Sequence, residues 1–467
     1  MDKVGDIAVG RPSRTTSQEA FAKAAALHKA GKFAEAEALL REASAKSPAD
    51  PVLHNARGVM LAAMKRHREA VGCYRDALEL APGMVGTWTN LGNALTQLNH
   101  LTSAIACHRR AIALSNGKDA LLHNNLGVSL SEARQLGEAV LAFTRALELK
   151  PDYHMARWDR ALAYLSLGNY RAGFLDYEVR KITGQLPSRG LPGAAWNGEP
   201  YPGKRLVLVA EQGFGDMLWV ARYLPRVKAL GGELVIECRP ELIPLIEAMG
   251  VADRLLAKGD PLPEADLHCY VCSLPGLFTP DATSIPSAPY LPIPVERVAK
   301  FKDVLGGAAG RLKVGIVWSG SVTFGKNQRR AQDLPQFVQA FALPGVQLYS
   351  LQKGAPAREL DALPRGGCVI DLEPQLQDFA DTAAAVSQLD LVIMTDSAVA
   401  HLTGGLGKPV WVLLGHNAHW LWLVDRSDSL WYPSIRLFRP RAEGDWDRVF
   451  DQASAELMTL CEAKHIA

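Results

Sequence analysis

A register of residues that recurs every 34 positions is the feature that most constrains the fold of the first half of this chain. Small residues at fixed places let two helices of one copy approach closely, and Pro ends the second helix. The copies are Ala24, Ala36, Leu40, Ala43 and Pro48; Gly58, Ala70, Tyr74, Ala77 and Pro82; Gly92, Ala104, His108, Ala111 and Asn116; Gly127, Ala139, Phe143, Ala146 and Pro151, one residue late; and a weaker Ala161, Gly168 and Tyr177.

This register resembles that of tetratricopeptide repeats, in which helix pairs stack into a solenoid. We expect a disordered N-terminus over 1–16 and a tetratricopeptide repeat domain of five repeats over 17–187. Such a stack makes a curved concave surface that usually holds an extended peptide.

Four polar residues are candidates for binding an acceptor peptide. Asn90 and Asn125 occupy the same repeat position, Asp159 occupies it in the fifth copy, and Asn55 lies one place earlier in the second. A ladder of Asn can hydrogen-bond a peptide backbone without reading its side chains. Such Asn residues do so in the repeat arm of eukaryotic O-linked N-acetylglucosamine transferases, which this arm resembles. The alternative is that they are ordinary solvated polar positions.

The second half alternates strand patterns with helix-length stretches after a Pro/Gly-rich linker over 188–204. This alternation indicates parallel sheets with helices on both faces. We expect an N-terminal Rossmann-like lobe over 205–300 and a C-terminal Rossmann-like nucleotide-sugar-binding lobe over 301–467, facing one cleft as in the GT-B glycosyltransferase fold. The strand patterns lie at residues 205–210, 233–237, 314–318, 347–351, 391–394 and 410–414.

The turn at 211–216, EQGFGD, is the first candidate for chemistry because it follows a strand and opens a helix. Backbone N–H groups and the helix dipole would therefore face the cleft. A dinucleotide-binding fingerprint is an alternative, but Leu218 stands where a third Gly is needed, although Glu237 imitates the ribose-binding acid. Asp216 also suits a plain helix cap.

The second candidate is the segment 395–401, TDSAVAH, which directly follows a strand. A helix beginning at Ser397 would put His401 one turn inside on the same face, with free N–H groups directed at a pyrophosphate. The alternative is a capped helix with a packed His.

Loops after other strands supply further candidates for binding the phosphates of a nucleotide sugar. Lys or Arg can stabilise the charge of a departing phosphate without a metal. The residues are Lys326, Arg329 and Arg330 after one strand, Gln352 and Lys353 after the next, and His416 and Asn417 after the last.

Residues 205–460 resemble the heptosyltransferase-like GT-B glycosyltransferases that are fused to tetratricopeptide repeats in bacteria. The resemblance is carried by EQGFGDMLWVARYLP (211–225), VGIVWSG (314–320), SLQKG (350–354), DFADTAAAVSQLDLVIMTDSAVAHLTGGLGKPVWVLL (378–414) and WYPSIRLFR (431–439).

In heptosyltransferases the Asp of the Gly-x-Gly-Asp turn is the proposed base, a role that the resemblance carries over to Asp216. The chain departs from the family at Ala398, where Gly is usual, and in the loop KNQRR (326–330). We assign catalysis to Asp216 and His401, and donor binding to these residues: Gly213, Phe214, Gly215, Ser319, Lys326, Gln352, Lys353, Asp396, Ser397, Ala398, His401, His416 and Asn417.

Composition limits the partners. The 51 Lys and Arg residues nearly balance the 49 Asp and Glu residues, so binding to nucleic acid is not expected. The apolar runs are shorter than a membrane span, and seven scattered cysteines fit a reducing cytoplasm. The CxxC at 269–272 lacks a second pair and the DxD at 445–447 suits a helix start, so we expect no metal or other cofactor.

Together these features predict a cytoplasmic glycosyltransferase that moves a sugar from a nucleotide sugar to Ser or Thr hydroxyls of a protein. The chain looks similar to alphaproteobacterial flagellin glycosyltransferases, which implies flagellin as acceptor and a nonulosonic acid as sugar. One alternative is heptosyltransferase-like transfer to a lipid or saccharide acceptor. Another is a non-catalytic repeat scaffold with a degenerate glycosyltransferase domain.

Overall fold

The computed structural model describes residues 14–466 except 185, 187–188, 212, 309, 323–324, 326 and 364–366. The chain divides into two compact units, Met1–Ala163 and Tyr164–Ala467. Residues 1–13 of the expected disordered N-terminus lie outside the described residues, and the first helix begins at Arg14.

The first unit consists of antiparallel helix pairs, as the 34-residue register predicts. The helix His154–Ser166 begins in this unit, and the helix Tyr170–Tyr177 lies in the second unit. The helices are α1 (Arg14–Lys29), α2 (Phe33–Lys46), α3 (Pro51–Ala63), α4 (His67–Leu80), α5 (Val85–Gln97), α6 (Leu101–Leu114), α7 (Ala120–Glu132), α8 (Leu136–Leu149), α9 (His154–Ser166) and α10 (Tyr170–Tyr177).

The periodic glycines let an aromatic ring of the second helix lie against the backbone of the first. A Cβ at Gly58 would come within 2.5 Å of the Tyr74 ring, and a Cβ at Gly92 would come equally close to His108. Gly127 has the same relation to the Phe143 ring, again at 2.5 Å. Any larger residue at these places would therefore separate the two helices of a repeat.

The first sheet of the second unit is entirely parallel, with the strand order β1-β5-β2-β3-β4 among the described residues. The chain order reverses between β2 and β5, which is where doubly wound sheets open a crevice. The elements are β1 (Ala194–Ala195), β2 (Arg205–Val209), α11 (Phe214–Val220), α12 (Leu224–Ala229), β3 (Glu233–Cys238), α13 (Ile243–Glu247), β4 (Arg254–Ala257), β5 (Leu267–Tyr270) and α14 (Leu274–Phe278).

The second sheet is also parallel, in the order β11-β10-β9-β6-β7-β8. Its switch point lies between β6 and β9. The elements are α15 (Val295–Val298), α16 (Lys302–Gly306), β6 (Leu312–Val317), α17 (Leu334–Phe341), β7 (Val346–Ser350), β8 (Val369–Asp371), α18 (Phe379–Ser387), β9 (Leu391–Thr395), α19 (Ala398–Gly405), β10 (Val410–Leu413), β11 (Ile435–Phe438) and α20 (Trp446–Ile466).

The predicted parallel sheets with helices are confirmed, and the differences are local. The helical segment after β2 is interrupted by a 3₁₀ turn at Ala221–Tyr223, just before Pro225, whose ring lacks an N–H donor. The short strands β1, β4, β8 and β11 lie at the sheet edges and were not predicted. They are only two to four residues long, too short for a periodic signal.

Candidate active site

The loops after β6 and β7 meet at the carboxyl ends of these two neighbouring strands of the second sheet. The Gln352 side-chain oxygen accepts hydrogen bonds from the backbone N–H of Ser319 at 2.9 Å and of Trp318 at 3.1 Å. Asn327 Nδ2 donates to the Ser319 hydroxyl at 3.2 Å. Ser319 and Gln352, both predicted for the donor site, therefore lie in one buried network.

The end of β9 presents two buried hydroxyl groups with no hydrogen-bond partner within the described residues, Thr395 Oγ1 and Ser397 Oγ. Ser397 is the N-cap of α19 but makes no side-chain cap bond, and the helix itself begins at Ala398. Arg330 Nη1 lies 3.7 Å from the carboxylate of Asp396. The first N–H groups of a helix have no intrahelical acceptor. This place therefore combines donors suited to an anionic ligand with a nearby guanidinium.

The turn after β2 holds Asp216 in the first turn of α11. The Gly213 N–H donates to Asp216 Oδ2 at 2.8 Å, so the carboxylate caps its own helix. Burial raises the pKa of Asp216 to about 6, and the charge of Glu211 adds to the rise, against the Gly213 hydrogen bond and the Arg180 and Lys258 charges. A half-buried carboxyl that titrates close to neutral pH can accept a proton in a reaction.

A buried ion pair supports this turn from behind. Arg180 binds Glu211 through two hydrogen bonds of 2.9 and 2.8 Å, and Glu211 also accepts from the backbone N–H of Cys272 at 2.9 Å. Arg180 is 1% exposed and also donates to Ser273 Oγ at 2.9 Å. Because Cys272 follows β5, the pair joins the two strand ends at the switch point of the first sheet.

Helices α11 and α19 pack directly against each other through Gly215 and His401. A Cβ at Gly215 would lie 3.0 Å from His401 Cδ2. His401 Nδ1 is 2.9 Å from the Tyr432 hydroxyl, and its ring stacks on Trp422 with centroids 5.4 Å apart. Burial lowers the pKa of His401 to about 3, so the ring is neutral. Gly215, the residue before Asp216, therefore lies against His401 of α19.

The remaining predicted donor-site residues have varied environments. Phe214 lies 5.0 Å from the Phe379 ring, between centroids, and is half-buried like Ala398. Lys353 donates to the Leu376 carbonyl and lies 3.7 Å from Glu373. His416 is half-buried and Asn417 is exposed beyond β10, and Lys326 lies outside the described residues.

The predicted peptide-binding residues lie on the first helices of the repeats. Asn90 Nδ2 donates to Asn55 Oδ1 at 3.1 Å, so these two side chains are joined across neighbouring repeats. Asn125 and Asp159 are half-buried, on α7 and α9.

Sequence reasoning missed three residues that organise the site, Arg180, Arg222 and Tyr432. Arg222 is buried and donates to the Trp431 carbonyl at 2.8 Å, and its guanidinium lies 4.7 Å from the centre of the Tyr432 ring. Arg222, within an apolar helical pattern, gave no local signal, and Tyr432 lies in a run of clustered aromatic residues that is typical of core packing.

The repeats belong to a known class. The tetratricopeptide repeat family model matches residues 21–85, 89–154 and 124–178, so this part of the chain is a tetratricopeptide repeat region. Over 432 residues the chain is 28% identical to protein FlbA of Caulobacter vibrioides, which covers 84% of this chain and 70% of that protein.

Two further similarities each cover a fraction of the chain. The Hsp70-Hsp90 organizing protein of Triticum aestivum is 32% identical over 105 residues, which cover 22% of this chain and 18% of that protein. The solved structure of MamA from Desulfovibrio magneticus RS-1 covers 36% of this chain and 97% of its own, at 17% identity and a TM-score of 0.34.

Two features, a membrane-spanning helix and a metal-ligating group, are absent from the residues that the structure describes. Among these residues no helix is both long and apolar enough to cross a membrane. The same residues contain no group of three or more His, Cys, Asp or Glu side chains arranged to hold a metal ion.

Proposed function

We propose that the chain is a metal-independent glycosyltransferase of the GT-B class that moves a sugar from a nucleotide sugar to a Ser or Thr hydroxyl of a protein. The observation that carries this proposal is Asp216, whose pKa is raised to about 6, on the helix α11 that packs against α19 through Gly215 and His401. The resemblance to heptosyltransferase-like enzymes supports the same assignment of the base.

The proposed donor site lies at the carboxyl ends of the second sheet. The unpartnered Ser397 and Thr395 hydroxyls, together with the first N–H groups of α19, bind the phosphates. Arg330 brings a guanidinium to this place through its contact with Asp396. These groups stabilise the negative charge that grows on the leaving phosphate.

In the proposed reaction Asp216 takes the proton of the acceptor hydroxyl. The acceptor oxygen then forms a bond to the anomeric carbon while the bond from that carbon to the phosphate oxygen breaks. His401 is a positioning residue in this proposal, because it is buried between Gly215, Trp422 and Tyr432 and fixes α19 against α11.

The acceptor in this proposal is a polypeptide held by the repeats. Tetratricopeptide stacks offer an extended surface for peptides, and Asn55 and Asn90 place amide groups on it. The resemblance to flagellin glycosyltransferases makes flagellin the first acceptor to test, with a nonulosonic acid as the sugar. The cytoplasm is the compartment we propose for this reaction.

The decisive variant is Asp216→Asn, because an amide oxygen can still accept the Gly213 hydrogen bond but cannot take a proton. With flagellin and nucleotide sugars we expect transfer to fall about 10²–10⁴-fold, as for loss of a general base. In the unaltered chain kcat/KM should rise with pH through an apparent pKa near 6. Mass spectrometry of the acceptor measures the transfer.

The matched control is Asp333→Asn, since Asp333 caps α17 through the Gln336 N–H at 3.1 Å and is expected to leave transfer unchanged. Equal activity of Asp216→Asn and the unaltered chain would restrict Asp216 to a capping role. Calorimetry against a panel of nucleotide sugars tests the second candidate function. A chain that binds none of them would act as a tetratricopeptide scaffold.

A further inference from the structure

The loop after β6 returns to the end of that strand. The Gln332 N–H donates to the Trp318 carbonyl at 2.9 Å, which closes the loop. Within the loop a short 3₁₀ turn over Asn327–Arg329 brings Arg330 back onto Asn327, whose carbonyl accepts the Arg330 N–H at 3.0 Å. The side chains of Asn327 and Arg330 are therefore neighbours.

The side-chain amide of Asn327 is bonded at both ends. Asn327 is 7% exposed, its Nδ2 donates to the Ser319 hydroxyl at 3.2 Å, and its Oδ1 accepts from Arg330 Nε at 3.3 Å. Ser319 is itself fixed, because its backbone N–H donates to the Gln352 side chain at 2.9 Å. One buried amide therefore ties Arg330 to the carboxyl ends of β6 and β7.

Gly320 leaves the space that the Arg330 guanidinium occupies. A Cβ at Gly320 would lie 2.7 Å from Arg330 Nη2 and 2.8 Å from Asn327 Oδ1, which is closer than a Cβ atom approaches its neighbours in proteins. Gly320 does not have the positive φ angle that favours glycine, so its backbone conformation would accept Ala. The position of these two side chains, and not the backbone, therefore requires a glycine here.

These contacts hold the guanidinium of Arg330 in one orientation. Its Nε donates to Asn327, its Nη2 lies beside Gly320, and its Nη1 is 3.7 Å from Asp396 Oδ2, longer than an ordinary hydrogen bond. Asp396 and the N-cap residue Ser397 follow β9, which is the neighbour of β6 in the sheet. The Nη1 end of the guanidinium therefore lies toward the segment that leads into α19.

We propose that Gly320 and Asn327 are positioning residues that hold the Arg330 guanidinium for a phosphate of the nucleotide sugar. A guanidinium that is held at Nε presents the edge formed by Nη1 and Nη2, which binds two oxygens of one phosphate in a planar fork. Holding the side chain in advance reduces the conformational freedom that is lost on binding. The inference rests on the proposed function, because it concerns the site that this function assigns to the donor phosphates.

The test is calorimetry of the full chain with four probes, namely uridine, guanosine and adenosine diphosphates and cytidine monophosphate. Gly320→Ala should raise the Kd of the tightest probe about tenfold or more, because the added methyl group displaces the guanidinium. The midpoint of urea unfolding should stay that of the unaltered chain, since the two displaced atoms are the far ends of side chains. A purely structural role for Gly320 would instead lower this midpoint.

Gly190→Ala is the matched control. It adds the same methyl group to an exposed loop glycine, where a Cβ would meet no atom within 4 Å, and it should change neither the Kd nor the midpoint. A Gly320→Ala variant that binds as tightly as Gly190→Ala would overturn the inference.

A double-mutant cycle tests whether Asn327 acts through Arg330. Arg330→Met and Asn327→Ala should each raise the Kd about tenfold or more, and the double variant should bind no more weakly than Arg330→Met alone. Additive losses would overturn the inference. Failure of the unaltered chain to bind any probe would overturn the inference and the proposed donor site together. Binding that depends on Arg330 but leads to no sugar transfer would contradict only the proposed reaction.

Discussion

At the scale of single residues, His108 is an imidazole in a place that the other repeats fill with Tyr74 or Phe143. It is fully buried against Gly92, and neither ring nitrogen has a hydrogen-bond partner within the described residues. Burial lowers its pKa from 6.5 to about 4. The folded chain therefore binds fewer protons at this site than the unfolded chain when the pH lies between these values.

We expect His108→Phe to stabilise the chain, because Phe fits the same register and has no unpaired nitrogen. The gain at neutral pH should be about 1–3 kcal/mol, the cost of leaving a buried polar group unbonded. The pKa of His108 is depressed, so its contribution is most favourable above pH 6.5 and declines as the pH falls toward 4. The advantage of the Phe variant should therefore grow over that interval, as urea unfolding at several pH values would measure.

Phe143→His is the reciprocal variant and places an imidazole against Gly127 in the next repeat. It should destabilise the chain, and more so at pH 5 than at pH 8. A His108→Phe variant that unfolds more easily than the unaltered chain at pH 5 would contradict the burial argument.

At the scale of elements, the segment after α10 places Arg180 under the turn that carries Asp216. Removing one member of a buried ion pair leaves an uncompensated charge, which typically costs about 3–5 kcal/mol. We expect Arg180→Met to lower the free energy of unfolding by this amount, measured with urea. The double variant Arg180→Met with Glu211→Gln should recover part of the loss, because no buried charge remains unpaired.

Arg205→Met is the matched control for this element. Arg205 pairs with Glu233 at 2.8 Å, but the two side chains are 39% and 42% exposed, so the change should cost less than about 1 kcal/mol. Equal costs for Arg180→Met and Arg205→Met would contradict the role of the buried pair.

How far the sequence predicts these elements depends on the range of the interaction. The 34-residue register predicts the helix pairs, because Gly58 and Tyr74 lie within one repeat. Strand ends such as Ser319 and Ser397 are predictable since parallel strands share one carboxyl edge. The partner of Arg180 is not, because Glu211 is 31 positions away and no local pattern distinguishes this Arg from a solvated one.

His401 illustrates the same limit. Its place one turn into α19 follows from the strand before it, and the sequence predicts a helix there. Its surroundings come from Gly215, Trp422 and Tyr432, which approach from separate elements. Whether a helical His faces a ligand or packing partners depends on tertiary contacts that periodicity does not contain.

At the scale of the whole molecule, Arg222 links the part of the second unit that contains the first sheet to the part that contains the second. It donates to the Trp219 carbonyl at 2.9 Å and to the Trp431 carbonyl at 2.8 Å. Its guanidinium also lies 4.7 Å from the centres of the Tyr290 and Tyr432 rings. If this buried guanidinium is removed, the carbonyls and ring faces that contact it all lose their partner at once.

We expect Arg222→Met to lower the free energy of unfolding by about 3 kcal/mol or more, since hydrogen bonds to a charged group and buried carbonyls are lost at once. Arg226→Met is the control, because Arg226 lies one turn later and its guanidinium is 4.3 Å from the Phe278 ring, but it is exposed and should cost under about 1 kcal/mol. Tryptophan fluorescence during urea unfolding reports on Trp219 and Trp431 on either side of Arg222. Because Arg222 contacts Tyr432 and Tyr432 contacts His401, Arg222→Met should also weaken binding of the nucleotide sugar. Equal stabilities of Arg222→Met and Arg226→Met would show that Arg222 does not join the two sheets.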